Sequence, residues 1–143
     1  MKTPLESLIS LKRWEEDEAK NLFAMARKEL DDQDRRLADL EENFGALRKR
    51  MTYSENEAVS IDEIQKLNGQ MEHLFKLLER QKALVAEGRT RMEEAMKILS
   101  DASKERKTYE KVDEKHKEAE RGEVRKKEQK GIDEHAVMRH KQK

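Results

Sequence analysis

Two apolar stripes with a seven-residue period dominate this chain, separated by about ten residues that carry none. In the first, alternate steps of four and three residues land on Leu5, Ile9, Lys12, Glu16, Ala19, Phe23, Ala26, Leu30, Gln33, Leu37, Leu40, Phe44, Leu47 and Met51. In the second they land on Ile64, Leu67, Met71, Leu74, Leu78, Gln81, Val85, Gly88, Met92, Ala95, Leu99, Ala102, Arg106 and Tyr109. Eleven of fourteen positions in each stripe are apolar or aromatic, in a chain that is only 34% apolar. That spacing is the seam of a coiled coil. Two equal seams in one chain imply an all-α hairpin, a single coiled-coil unit folded back on itself across residues 1–143.

Composition narrows the alternatives. Charged residues make up 45% of the 143, and aromatics 4%. A compact globule needs more apolar mass than this to offset chain entropy. Disorder is the default for such a composition, but a disordered polar chain has no reason to align Leu, Ile and Met on one stripe. High charge with a helical period marks a long helix or coiled coil. Thirty-two basic and 32 acidic residues cancel, so the basic excess of a general nucleic-acid binder is missing. The charge is uneven: residues 121–143 hold eight basic and four acidic groups, residues 1–60 eleven basic and fourteen acidic. Without cysteine, disulfides and thiol catalysis are excluded. The start lacks the pattern of a signal peptide, and no stretch approaches the roughly 18–20 apolar residues of a membrane span. A soluble cytoplasmic protein is expected.

Helix boundaries are readable. Thr3 caps the first helix, Pro4 fits its first turn and Glu6 completes a capping box. Ser60-Ile61-Asp62-Glu63 is a second box, with Val59 and Ile64 placed as a hydrophobic staple. These signals predict helix 1 over about 4–51, a bend over about 52–60 and helix 2 over about 61–138. A connection this short implies antiparallel neighbours. With the bend centred near residue 57, Leu5 is expected beside Tyr109 and Met51 beside Ile64. At about 1.5 Å per residue the first seam is roughly 70 Å long. Beyond Tyr109 the stripe fades through Val112, His116 and Ala119, so the second helix overhangs, fraying towards its end. Lys12, Glu16, Gln33, Gln81, Gly88 and Arg106 are poor seam residues; the stems of Lys12 and Arg106 are expected along the seam with their heads in water.

Chemistry is sparse. His73, His116, His135 and His140 lack the three- or four-residue spacing of a helical metal site. The many carboxylates have no pocket in which to be tuned. There is no glycine-rich phosphate loop and no nucleophile elbow. Neither an enzyme nor a bound cofactor or metal is expected. Core packing accounts for Phe23, Phe44, Met51, Met71 and Met92. Trp14, Tyr53, Phe75 and Met96 fall off the seam, and Trp14, Tyr53 and Phe75 are candidate partner contacts. Leu22 and Met25 flank the seam, as do Phe75 and Leu77, in the manner of a surface for a third helix or a second copy. The basic tail alternates with acids and lacks aromatics, so a protein surface of acidic character suits it better than nucleic acid.

The last forty residues carry a more specific signal. Glu128-Gln129-Lys130, Asp133-Glu134, Ala136 and Arg139 resemble the C-terminal ending of the flagellar FliJ family, and Arg106-Lys107, Glu110-Lys111 is similar to its lead-in. His135 stands where that family often has an apolar or aromatic residue. The resemblance implies a two-helix antiparallel coiled coil, similar to the stalk of a rotary ATPase, within the type III export apparatus. It implies contacts with a hexameric FliI-like export ATPase, with the cytoplasmic domain of a FlhA-like export gate and with export chaperones, and a place at the inner membrane beneath the flagellum. Carried over by position, the ATPase-facing candidates are Glu128, Gln129, Lys130, Asp133, Glu134 and Arg139. A YscO-type injectisome stalk and a plain structural coiled-coil dimer are the alternatives.

Overall fold

A computed structural model of the chain describes residues 3–56 and 60–141. These form two α-helices, α1 (Pro4–Asn56) and α2 (Ile61–Lys141), with no strand among the described residues. The fold is all-α, a helical hairpin whose second helix, of 81 residues, outruns the first, of 53.

Both helices begin as their caps dictate. Thr3 Oγ1 accepts from the Glu6 N–H at 3.1 Å, and Glu6 Oε2 accepts from the Thr3 N–H at 3.2 Å, closing the reciprocal box. Ser60 Oγ accepts from the Glu63 N–H at 3.3 Å, the forward half of the second box. Val59, the expected staple partner of Ile64, lies outside the described residues. Helix α1 does not stop at Met51; it runs on to Asn56. Losing the apolar stripe removes a packing partner but not helix propensity, and no Pro or Gly interrupts residues 52–56. The hydroxyls of Thr52 and Ser54 fold back onto the carbonyls of Arg48 (3.1 Å) and Arg50 (2.9 Å). Helix α2 likewise passes the expected end at residue 138 and continues to Lys141. Gly122 and Gly131 sit within it without leaving right-handed geometry.

The contacts divide into two compact units, residues 1–17 with 100–143, and residues 18–99. In the 18–99 unit, Ala19 and Leu30 of α1 and Leu78, Val85 and Ala95 of α2 are buried. Gly88 faces Leu30: a Cβ there would lie 3.5 Å from Leu30 Cδ1. Gln81 is buried too, and its Nε2 donates across to Gln33 Oε1 at 2.6 Å and to the Gln33 carbonyl at 2.9 Å. In the other unit, Ile9 is the buried apolar residue and Glu16 is buried beside Arg106. All fourteen predicted positions of the first seam are buried or half-buried, as are all of the second except Ile64. The seven-residue period therefore located the interface almost residue by residue.

The register differs from expectation. Tyr109 lies under Lys12, with Nζ 5.6 Å from the ring centroid, two helical turns along from Leu5. The shift is not uniform: in the 18–99 unit Gln33 and Gln81 meet at the expected offset.

Candidate partner-binding surfaces

An interaction site on two paired helices consists of whatever the seam leaves uncovered, so the seam's end defines the first surface. In the unit holding the chain's start, charged pairs close the seam. Lys12 Nζ donates to Glu105 Oε2 at 3.1 Å and to Glu15 Oε2 at 3.3 Å. The hydrogen bond it donates to Glu105, then that to Glu15, holds the Lys12 ammonium above its ordinary pKa. Arg106 Nε donates to Glu16 Oε2 at 2.9 Å and its Nη1 to Glu110 Oε2 at 2.8 Å, while Arg13 Nε reaches Glu110 Oε1 at 3.0 Å. Glu110 thus binds guanidinium groups from both helices. The bond to Glu16 raises Arg106 above its already high value. Here the structure corrects the expectation that the Lys12 and Arg106 heads lie in water. Each is turned into a carboxylate partner, because both helices present acids within reach of the same seam positions.

Lys117 is paired with Asp113 at 3.0 Å, which raises its pKa, with a smaller contribution from the Glu6 charge at the start of α1. Past this point α2 outlasts α1. Every residue from Glu123 to Lys141 is exposed, along about 28 Å of helix at 1.5 Å per residue. The six candidate residues, Glu128, Gln129, Lys130, Asp133, Glu134 and Arg139, all lie on this segment, brought together by the helix alone. Gln129 Nε2 donates to Asp133 Oδ1 at 3.1 Å, one turn apart. Val124, Ile132, Val137 and Met138 are also exposed there, so the segment offers apolar as well as charged groups.

The three aromatic candidates are exposed: Trp14 by 60%, Tyr53 by 73% and Phe75 by 52%. Trp14 belongs to one unit, Tyr53 and Phe75 to the other. Phe75 is propped against Phe44, with ring centroids 6.5 Å apart and planes tilted by 49°. Sequence reasoning missed the ion-pair cluster; its signal was the row of acids at 15, 16, 105 and 110, which becomes legible only once the register is known. Among the described residues no group of three or more His, Cys, Asp and Glu side chains is placed to hold a metal ion, and no helix is long and apolar enough to cross a membrane.

Comparison with known proteins agrees with this geometry. The family model described as "Flagellar FliJ protein" matches residues 1–143, the whole chain. No curated protein and no solved structure matches.

Proposed function

The chain belongs to the flagellar FliJ family, a component of the flagellar protein-export apparatus, and from that premise we propose that it acts as a non-enzymatic stalk between the export ATPase and the export gate. The exposed run from Glu123 to Lys141 carries this reading. A helix kept in register by a partner along most of its length, then left bare for about five turns, presents a preformed charged face to another protein. Preorganisation of this kind lowers the ordering cost of binding. Glu128, Gln129, Lys130, Asp133, Glu134 and Arg139 would meet the polar lining of a FliI-like ATPase hexamer. The ion pairs Lys12–Glu105 and Arg106–Glu16 tie the first helix to α2 ahead of this run.

Tyr53 and Phe75, towards the bend, are the contacts we assign to a FlhA-like gate domain, and exposed Trp14 is a further candidate partner contact. Exposed aromatics on a helix pair dominated by charge are the groups most able to concentrate binding energy. The work of such a protein is mechanical coupling by contact at the inner-membrane base of the flagellum.

The test is co-purification with a hexameric export ATPase and measurement of its hydrolysis rate. Lys130→Glu with Arg139→Glu is expected to weaken association at least tenfold while the circular dichroism at 222 nm stays unchanged. Unaltered binding and stimulation by the double variant would remove the assignment. A large fall in helicity would instead make the tail a structural element.

A further inference from the structure

One flank of the 18–99 unit remains unexplained by the family reading. Leu22, Met25 and Ala26 of α1 and Ala95 and Ile98 of α2 line an open groove. Ala26 is half-buried and Ala95 buried, so the two small side chains form its floor. Leu22, Met25 and Ile98 stand along it, exposed by 48%, 71% and 50%. Met25 is the most prominent of these knobs, on an unbranched and adaptable side chain. Exposed apolar groups converging from two helices on one depression mark an interaction face rather than scattered surface.

The rim indicates what covers it. Glu29 and Arg91 satisfy each other across the helices at 2.9 Å. Lys28 and Asp32 on α1 and Glu94 on α2 also line the groove, and none of the three has an ion-pair partner among the described residues. A partner helix of a single charge sign would meet a like charge somewhere on this rim, which carries Lys28 as well as Asp32 and Glu94. Lys28 on the α1 edge and Glu94 on the α2 edge are complementary to each other, and Asp32 makes the α1 edge mixed in sign.

We propose that this groove is the contact for a second copy of the chain, related by a two-fold axis running along the groove. That rotation brings α1 of each copy over α2 of the other. Met25 of each copy then enters the depression over Ala26 and Ala95 of its partner, and Lys28 faces Glu94 at both edges. The pairing is isologous and closes at two copies. With so few apolar side chains in contact the pairing is weak. It does not depend on any export partner.

Sedimentation equilibrium of the full chain, from about 10 µM to 1 mM to bracket that weak affinity, tests it. The weight-average mass is expected to climb from 16.9 kDa towards twice that value. Met25→Glu and Ile98→Glu are each expected to hold it at the monomer mass with unchanged circular dichroism. Lys28→Glu is expected to weaken association at least fivefold, and adding Glu94→Lys to restore it. Because the chain has no cysteine, Met25→Cys allows a clean test with a flexible bis-maleimide, which spans helices too far apart for a disulfide: a covalent dimer is expected, and none from the exposed Glu41→Cys. A wild-type mass that stays at 16.9 kDa throughout overturns the proposal. So does association that survives Met25→Glu and Ile98→Glu, or a charge swap that fails to restore. A monomeric chain that binds a basic amphipathic peptide in this groove would assign it to a different protein, and equally overturns the proposal.

Discussion

The two units close the same seven-residue seam with different chemistry. Between residues 18 and 99 the seam is mostly dry: Leu30, Leu78, Val85 and Ala95 are buried, and the Gln33–Gln81 contact is a neutral hydrogen bond. Between residues 1–17 and 100–143 it is closed by Lys12, Arg13, Glu16, Glu105, Arg106 and Glu110, with Ile9 the buried apolar residue. Apolar burial is insensitive to salt and tolerant of small shifts in register. Charge pairing at part-exposed positions contributes less to stability but rejects a slip of one turn, which would set like charges together. The first chemistry holds the helices together. The second specifies where along α2 the first helix begins, and therefore how much of α2 is left bare.

Substitutions in the dry seam would test this division most severely. Leu30→Ala is expected to cost about 2–4 kcal/mol, the range for truncating a buried leucine, read from urea unfolding followed at 222 nm. A loss no larger than that of a charge-cluster variant would break the comparison. Next in size is Arg106→Met, which keeps the apolar stem but removes the guanidinium bridging Glu16 and Glu110. It is expected to destabilise less than Leu30→Ala, and to shrink the difference between low salt and 1 M salt, which the wild-type chain shows through screening.

Gly88→Ala is expected to go the other way. A Cβ there meets Leu30 Cδ1 at 3.5 Å, ordinary van der Waals contact. The gain in helix propensity, about 0.5–1 kcal/mol, is therefore expected to appear as a higher urea midpoint. A lower midpoint would mean that Leu30 has no room to give. The smallest effect concerns pH. Lys12 and Lys117 have pKa values raised above 10.5 by their carboxylate partners. Their stabilising contribution is whole below that value and is lost as pH rises through the raised values. Melting temperatures are expected to be flat in this respect from pH 8 to about 10 and to fall above it. The fall is expected to be reduced in Lys12→Met.

The extent of the interface was legible residue by residue. The period of Leu, Ile, Met and Ala at alternate steps of three and four has no alternative reading as a strand, and Thr3 and Glu6 announced the start of α1 through local chemistry alone. What escaped sequence reasoning was the last turn of α1, which runs to Asn56 rather than Met51. Thr52-Tyr53-Ser54 lacks apolar residues on the stripe and so reads as a bend, yet it stays helical because nothing in it opposes a helix. The partners of Lys12 and Arg106 were concealed because the stripe alone does not fix which turns of the two helices meet. The groove at Met25 and Ile98 was half visible: Leu22 and Met25 stood off the stripe, but the α2 residues completing the depression depend on register. The bare tail was foreseen, because a fading stripe is itself a local signal.

Sequence alone determined that the chain forms two long helices, where each starts, and which stripe of each is shielded, because these follow from propensity, capping and periodicity over a few neighbouring residues. Tertiary structure decided the alignment of the two stripes, and with it the charge pairs, the groove and the point at which α2 is left uncovered. Every turn of one apolar stripe accepts every turn of another almost equally well. The groups that must then meet, the Gln33–Gln81 pair and the charges around Arg106, distinguish one alignment from the others.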